Sequence, residues 1–279
     1  MAITYLNQGA TSLAAGNWSD GIGFADNATL IINRPFGPIT GGASGLDQSA
    51  VTDGATYLEI VGSAEGQLGD ASNPLRADFN DGSSPHLLYA PKGGVLYYYP
   101  GGNETTCTEF EASGNGTYHI LGGGTVTTLR HSTGIGNVAS TVIVTNAEFW
   151  GSAQATIEYN ATGFTDYKQH GGNVIAKRVG TTMDIMGGNL VLDASAGAIT
   201  TINLRGGNLT LLRSGTITTF NHFGGRVNLR DVQIAITITN CNVYPNADPA
   251  AWSNRPSLLT VTPSFKGRSV GGNFPLIAG

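Results

Sequence analysis

Paired carboxylates are the first chemistry to look for, because hydrolysis of a glycosidic bond needs two acids roughly 5 to 10 Å apart. The second half of the chain offers Glu148 with Glu158, Asp166 with Asp184, and Asp193 with Asp231. None of these is surrounded by the aromatic residues that a sugar platform needs. Tyr97, Tyr98 and Tyr99, followed by Glu104 and Glu109, are the one place where aromatics and acids mix, and they form the candidate glycan-binding set. Asp184 shares a repeat column with Asn203 and Asn221, which reads as a polar ladder at a turn, its side chains bonding along a stack.

Other chemistries find less support. His86, His119, His131, His170 and His222 are scattered, without ligand spacing and without a cysteine partner, so they read as surface or turn histidines. Asp78-Phe79-Asn80-Asp81-Gly82 resembles the opening of a calcium loop, but the acid such a loop requires would fall on Tyr89. There is no Gly-x-Ser-x-Gly, no cysteine beside a base and no phosphate-binding Gly-Lys-Ser/Thr loop, so the reading is of a chain without enzymatic activity, metal or cofactor. Cys107 and Cys241 stand 134 residues apart and read as two free thiols, which suits a reducing compartment.

Charge excludes further classes. Only 12% of the 279 residues are charged, the net charge is −5, and no Lys/Arg cluster occurs, which argues against nucleic acid and anionic membrane as partners. The N-terminus has neither a basic start nor a long apolar run, and no stretch approaches the ~20 apolar residues of a membrane helix.

What must position any functional residue is an internal repeat. Gly-Gly recurs at Gly171-Gly172, Gly187-Gly188, Gly206-Gly207 and Gly224-Gly225, at intervals of 16, 19 and 18 residues. After each pair apolar residues return at every second position: Val174, Leu190, Leu209 and Val227, then Ala176, Leu192, Leu211 and Leu229. Before each pair stands a large apolar residue, Tyr167, Met183, Ile202 or Phe220. Period-two alternation means strands, and a unit this short cannot bury its own apolar face, so successive units must stack. The expected fold is all-β, a single-stranded parallel β-helix, with the apolar columns inside and each coil rising by about 4.8 Å.

The expected organisation is an N-terminal cap or attachment segment over residues 1–50, a strand and long loop over 51–86, the β-helix over 87–244, and a C-terminal cap or arm over 245–279. The β-helix would hold about 8 coils of about 19 residues. Gly62 to Pro85, rich in Gly, Asp, Asn and Pro, reads as a loop. Ala198-Ile199-Thr200-Thr201, Thr216-Ile217-Thr218-Thr219 and Ala235-Ile236-Thr237-Ile238-Thr239 would stack threonines in ranks, as ice-binding solenoids do, which is a minor alternative function.

With its GGN-x-aliphatic coils, low charge and non-repeating ends, the chain resembles the glycine- and threonine-rich β-helical structural proteins of tailed bacteriophages: capsid decoration (cement) proteins, head fibres and tailspike shafts. The resemblance implies a homotrimeric virion protein, made in the host cytoplasm and placed on the outer capsid surface, with the major capsid protein as its partner. Trp18, Arg34, Phe36, Trp252, Arg255 and Phe265, aromatic and Arg residues of the terminal segments, are then the candidate interface contacts. A tailspike or adhesin that recognises or cleaves host surface glycans through the tyrosine set is the alternative function.

Overall fold

The computed structural model describes residues 2–20, 28–41, 46, 57–77, 86–100, 106–158, 162–193, 198–213, 215–229, 231–244, 247 and 258–261. It is nearly all parallel β-strand, wound as a β-solenoid of about 8 turns, with one 3₁₀ turn at Ala15–Asn17 among the described residues. Two compact units divide the chain, Met1–Thr145 and Asn146–Gly279.

In the first unit, one sheet runs in parallel through Ala2–Tyr5, Ala28–Ile32, Tyr57–Val61, His86–Ala90, Thr106–Ala112 and Thr125–His131. Each coil returns through a second sheet, built from Gln67–Leu68, Val95–Pro100, Thr117–Ile120 and Ile135–Val138, with Leu75–Ala77 also on Val95–Pro100. Along Thr125–His131, Val126, Leu129 and His131 are buried while Thr127 and Thr128 both face outward. The pairing stays in step across that point, Val126 opposite Cys107 and Thr128 opposite Glu109. Two successive outward residues without a register shift require the backbone to bend, so Thr127-Thr128 makes a corner.

The parallel ladder begins at Ala2, well ahead of Leu87, where the sequence places its start. Within the expected loop Gly62–Pro85, Gln67–Leu68 and Leu75–Ala77 are strands, and Ile39 bridges Leu68 in parallel. Strands of two and three residues are too short to leave an alternation in the sequence. Asp70 makes the intervening turn, its Oδ1 accepting the backbone N–H groups of Ser72 (2.8 Å) and Asn73 (2.7 Å). These N–H groups hold the Asp70 carboxyl below its usual range.

Residues 6–20 fold back against the first strand. Leu6 and Trp18 form an antiparallel bridge, the Ser19 N–H donates to the Tyr5 carbonyl, and the Asn7 N–H donates to the Asn17 carbonyl. Backbone groups of an edge strand are thereby occupied, which blunts the edge.

In the second unit the strand Ile143–Phe149 pairs through Asn146–Phe149 with Phe164–Gln169. The sheet continues through Gly180–Ile185, Ala198–Leu204, Thr216–His222, Ile236–Val243 and Leu259–Val261. Gln154–Ile157, Asn173–Ala176, Asn189–Asp193, Asn208–Arg213 and Arg226–Asn228 form the returning sheet. The apolar columns stand as the repeat dictates: Val174, Leu190, Leu209 and Val227 pair in register and are 1% exposed or less. Tyr167, Met183, Ile202 and Phe220 do likewise, and Cys241 continues their column. Each fully buried aliphatic or aromatic side chain contributes about 1.5–3 kcal/mol, so these columns hold the stack together.

Candidate functional site

The structure separates the tyrosine set. Tyr98 points into the core, fully buried and stacked on Phe110 with ring centroids 6.0 Å apart. Tyr97 faces out from the returning sheet and stacks on His119 at 4.6 Å, and Tyr99 lies against Gly122 with the Arg76 guanidinium 4.7 Å from its ring. Glu109 belongs to the other sheet of the coil, and Glu104 lies outside the described residues. Alternation along Val95–Pro100 is the reason, since three consecutive residues of a strand cannot share a face.

Glu109 instead acquires neighbours that the sequence does not bring together. On the outer face of its sheet, Glu59 stands opposite Leu88, and Leu88 opposite Glu111, which shares a strand with Glu109. Two strand spacings put the Glu59 and Glu111 backbones about 10 Å apart. Arg130 forms an ion pair with Glu109. The phenol of Tyr57 is pushed up to about 12, first by burial, then by the charge of Glu59 and a hydrogen bond to it, then by Glu111 and Glu109. The stacked strands thus bring Glu59 and Glu111 to one sheet face, and the charges of both, with that of Glu109, reach Tyr57. The strands that carry Glu59 and Glu109 lie 50 residues apart in sequence, so only the coil stacking reveals the group.

Four of the other acids, Glu148, Glu158, Asp231 and Asp184, are engaged one by one. Lys168 lies 3.5 Å from Glu148, Lys177 lies 2.9 Å from Glu158, and Asp231 accepts from the Asn228 amide at 3.0 Å. Asp184 heads a ladder in which Asn203 donates to Asp184 (2.7 Å), Asn221 to Asn203 (2.8 Å) and Asn242 to Asn221 (2.8 Å). The polar ladder expected from the repeat is therefore present, on the strands rather than at a turn. A second ladder beside the glycine pairs runs from Asn208 to Asn189 to Asn173, each step 2.6 Å.

Two histidines correct the sequence reading of surface or turn positions. His131 and His222 are fully buried at the last inward position before a turn, and each places Nε2 on a turn carbonyl, Thr133 at 2.8 Å and Gly225 at 3.1 Å. Gln169, equally buried, donates to the carbonyl of Gly172 at 3.3 Å. An inward polar side chain thus secures the turn, a role that sequence cannot separate from a surface polar residue. Burial pulls the His131 imidazole down to about 4. Among the described residues no group of three His, Cys, Asp or Glu side chains is placed to hold a metal ion. The calcium-like stretch Asp78 to Gly82 lies outside the described residues. Cys107 and Cys241 are free and buried, and burial pushes both thiols up to about 12, far from a reactive thiolate at neutral pH.

The threonine ranks exist with a different register. Thr216 pairs with Thr237 rather than with Ala235, and Thr237 pairs with Thr260, so one rank reads Ala198, Thr216, Thr237, Thr260. The next reads Thr182, Thr201, Thr219, Asn240. Ile238, not Ile236, takes the inward place beside Ile217, which shifts the strand by two residues and preserves its facing.

Among the interface candidates, Trp18 is 2% exposed and donates Nε1–H to the Leu13 carbonyl at 3.0 Å, so its ring belongs to the core of its own unit. Phe36 lies against Gly66, where an added Cβ would meet its ring at 2.9 Å. Arg34 is exposed. Trp252, Arg255 and Phe265 lie outside the described residues.

One outer feature of the second unit escaped the sequence reading. The residue immediately after each strand of the first sheet of this unit forms a column, Trp150, His170, Met186, Arg205, Phe223 and Tyr244, tied by backbone bonds such as His170 N–H to the Phe149 carbonyl and Arg205 N–H to the Ile185 carbonyl. Its side chains touch along the stack: Trp150 stacks on His170 at 5.6 Å, Arg205 lies 4.7 Å over Phe223, and Phe223 stacks on Tyr244 at 4.2 Å. For His170, Met186, Arg205 and Phe223 the signal was present one residue upstream of each Gly-Gly, but the column mixes residue types and carries no common character. In comparisons with protein families, curated proteins and solved structures, the chain matches none.

Proposed function

We propose that the chain is a non-enzymatic structural protein of a virus particle, a capsid decoration protein that binds the outer capsid surface as a homotrimer and stabilises the shell. The observation that carries this reading is how the polar side chains are used. Asp184, Asn203, Asn221 and Asn242 bond to one another along the coils rather than converging on a cleft, as suits a stiff stack. The resemblance to β-helical phage proteins supplies the setting. Stabilisation follows from mass action: a protein that bridges neighbouring copies of the major capsid protein binds only the assembled shell and shifts the equilibrium toward it. Arg34, exposed in the N-terminal stretch, is retained as a contact with the shell. The test is the protein's copy number in purified particles, expected to be locked to that of the major capsid protein. A copy number matching the few tail fibres of a particle would overturn the proposal.

A second reading, cleavage of a surface polysaccharide, is supported by Glu59 and Glu111 standing two strands apart on one sheet face, their backbones about 10 Å from one another. It requires turnover of a capsular polysaccharide that is lost in Glu109→Gln and in Glu111→Gln. Absence of turnover leaves the structural reading.

A further inference from the structure

A turn of the first unit holds two neighbouring groups that are able to react with each other. Asn115 is the one asparagine of the chain that is followed by glycine. It is exposed, in the turn that joins Thr106–Ala112 of one sheet to Thr117–Ile120 of the other. Packing dictates the glycine after it: a Cβ at position 116 would run into the phenol of Tyr89, whose hydroxyl donates to the carbonyls of Gly94 (3.1 Å) and Thr117 (3.0 Å). No side chain therefore shields the Gly116 nitrogen from its neighbour.

The turn is bonded to the coils on either side. Ser113 N–H donates to the Tyr89 carbonyl and Asn115 N–H to the Pro91 carbonyl, both at 3.0 Å, while the Gly116 carbonyl accepts from Ile135 N–H at 3.1 Å. The Thr133 hydroxyl donates to the Gly114 carbonyl at 3.0 Å. Two adjacent groups stand outside this network. Among the described residues neither the Asn115 carboxamide nor the Gly116 N–H has a hydrogen-bond partner, so the carboxamide can rotate and the amide nitrogen can attack it without breaking a bond of the fold.

We propose that Asn115 is a site of spontaneous deamidation, and that its isoaspartyl product loosens the coil that carries it. The Gly116 nitrogen, losing its proton, bonds to Cγ of Asn115; the bond from Cγ to the carboxamide nitrogen breaks, and ammonia leaves with that proton. Water then opens the five-membered succinimide at either carbonyl, so one water is consumed and one ammonia released for each aspartate or isoaspartate formed. Aspartate adds a charge at an exposed position and keeps the backbone. Isoaspartate runs the main chain through Cβ and Cγ and lengthens the turn by one atom. The stack has no slack for that atom: a Cβ at Gly134, on the next coil, would stand 2.6 Å from the Gly114 carbonyl oxygen and 2.7 Å from that of Gly116. Backbone rests on backbone here, and the bonds from Thr133 and Ile135 fix the spacing. The inference stands independently of the capsid reading.

Ageing of the full chain at neutral pH tests it. Trypsin releases residues 93–130 as one peptide, because Lys92 and Arg130 bound a stretch without internal Lys or Arg. With time this peptide is expected to gain the mass difference between a carboxyl and a carboxamide, with fragmentation placing the gain at Asn115 rather than at Asn103, and to split into aspartyl and isoaspartyl forms on chromatography. Asn115→Gln, whose ring would need six members, should stay unchanged. Freshly made Asn115→Asp supplies the charge without the extra atom. In the aged wild type, hydrogen exchange should quicken in Thr117–Ile120 and Ile135–Val138, but not in aged Asn115→Gln or fresh Asn115→Asp. Should either variant fail to fold, aged and fresh wild type decide both parts. Asn115 still intact in the folded chain when the urea-unfolded chain has lost it, or a mass gain at Asn103 alone, would overturn the deamidation site. Unchanged exchange in the aged protein, or equal quickening in Asn115→Asp, would overturn the loosening.

Discussion

Single residues in this protein are read by what lies one coil above and below them. Asn203 donates to Asp184 and accepts from Asn221, so replacing it breaks two hydrogen bonds at once, whereas Asn242 makes one recorded ladder bond, to Asn221. Asn203→Ala is expected to destabilise by about 1–2 kcal/mol and Asn242→Ala by about half as much, measured by urea unfolding. His131 makes pH a probe of the core. The unfolded chain takes up a proton near pH 6.5, while the buried imidazole resists it down to about 4. The stability due to its neutral form is therefore complete above pH 6.5 and is lost as pH falls from 6.5 to 4, by up to about 3 kcal/mol. His131→Gln, which cannot titrate, should flatten the profile in that window by comparison with the parent protein. Arg178 shows the same dependence on context. It is 1% exposed, donates from Nε (2.9 Å) and Nη2 (2.8 Å) to the Glu158 carbonyl, and is pulled down to about 10 by burial, so it stays charged at neutral pH. Its sequence neighbours Lys177 and Val179 do not reveal that role.

At the scale of the coil, the turn is where the sequence has least freedom. Gly207 combines φ of 74° with a would-be Cβ 2.5 Å from the Gly188 carbonyl oxygen. Gly123 has neither a positive φ nor any atom within 4 Å of an added Cβ. Gly207→Ala is therefore expected to cost more than about 2 kcal/mol, and Gly123→Ala to change stability by no more than about 0.5 kcal/mol, both read from thermal or urea unfolding. The strands were legible wherever a coil kept its full length. The repeat around Gly171 to Leu229 predicts both the buried columns and the Asp184–Asn203–Asn221 ladder. It failed at Gln67–Leu68 and Leu75–Ala77, which are too short for periodicity, and at Ala235 to Thr239, where a strand of alternating Ile and Thr has two registers of equal facing. Only the neighbouring strand, with Phe220 opposite Cys241, selects between them.

For the molecule as a whole, each coil depends on its neighbours, so stability is a sum of local terms. A coil weakened by Gly207→Ala should open locally, and hydrogen exchange is expected to quicken in Ala198–Leu204 and Asn208–Arg213 before Thr106–Ala112 is affected. Equal acceleration in all three would mean a single all-or-none transition instead. If the capsid proposal holds, particles that lack the protein should burst at lower temperature or milder osmotic shock, because the bound state no longer draws the shell toward assembly. The sequence by itself determined the fold class, the inward columns and the place of the glycine turns, because each follows from alternation and from backbone conformations that only glycine tolerates without cost. The tertiary structure alone decided which side chains share a surface. Glu59 shares a face with Glu111 and Trp150 meets His170 because stacking converts a separation of some 20 residues or more into one or two strand spacings. That conversion depends on the exact length of every intervening turn, a quantity that no local residue pattern encodes.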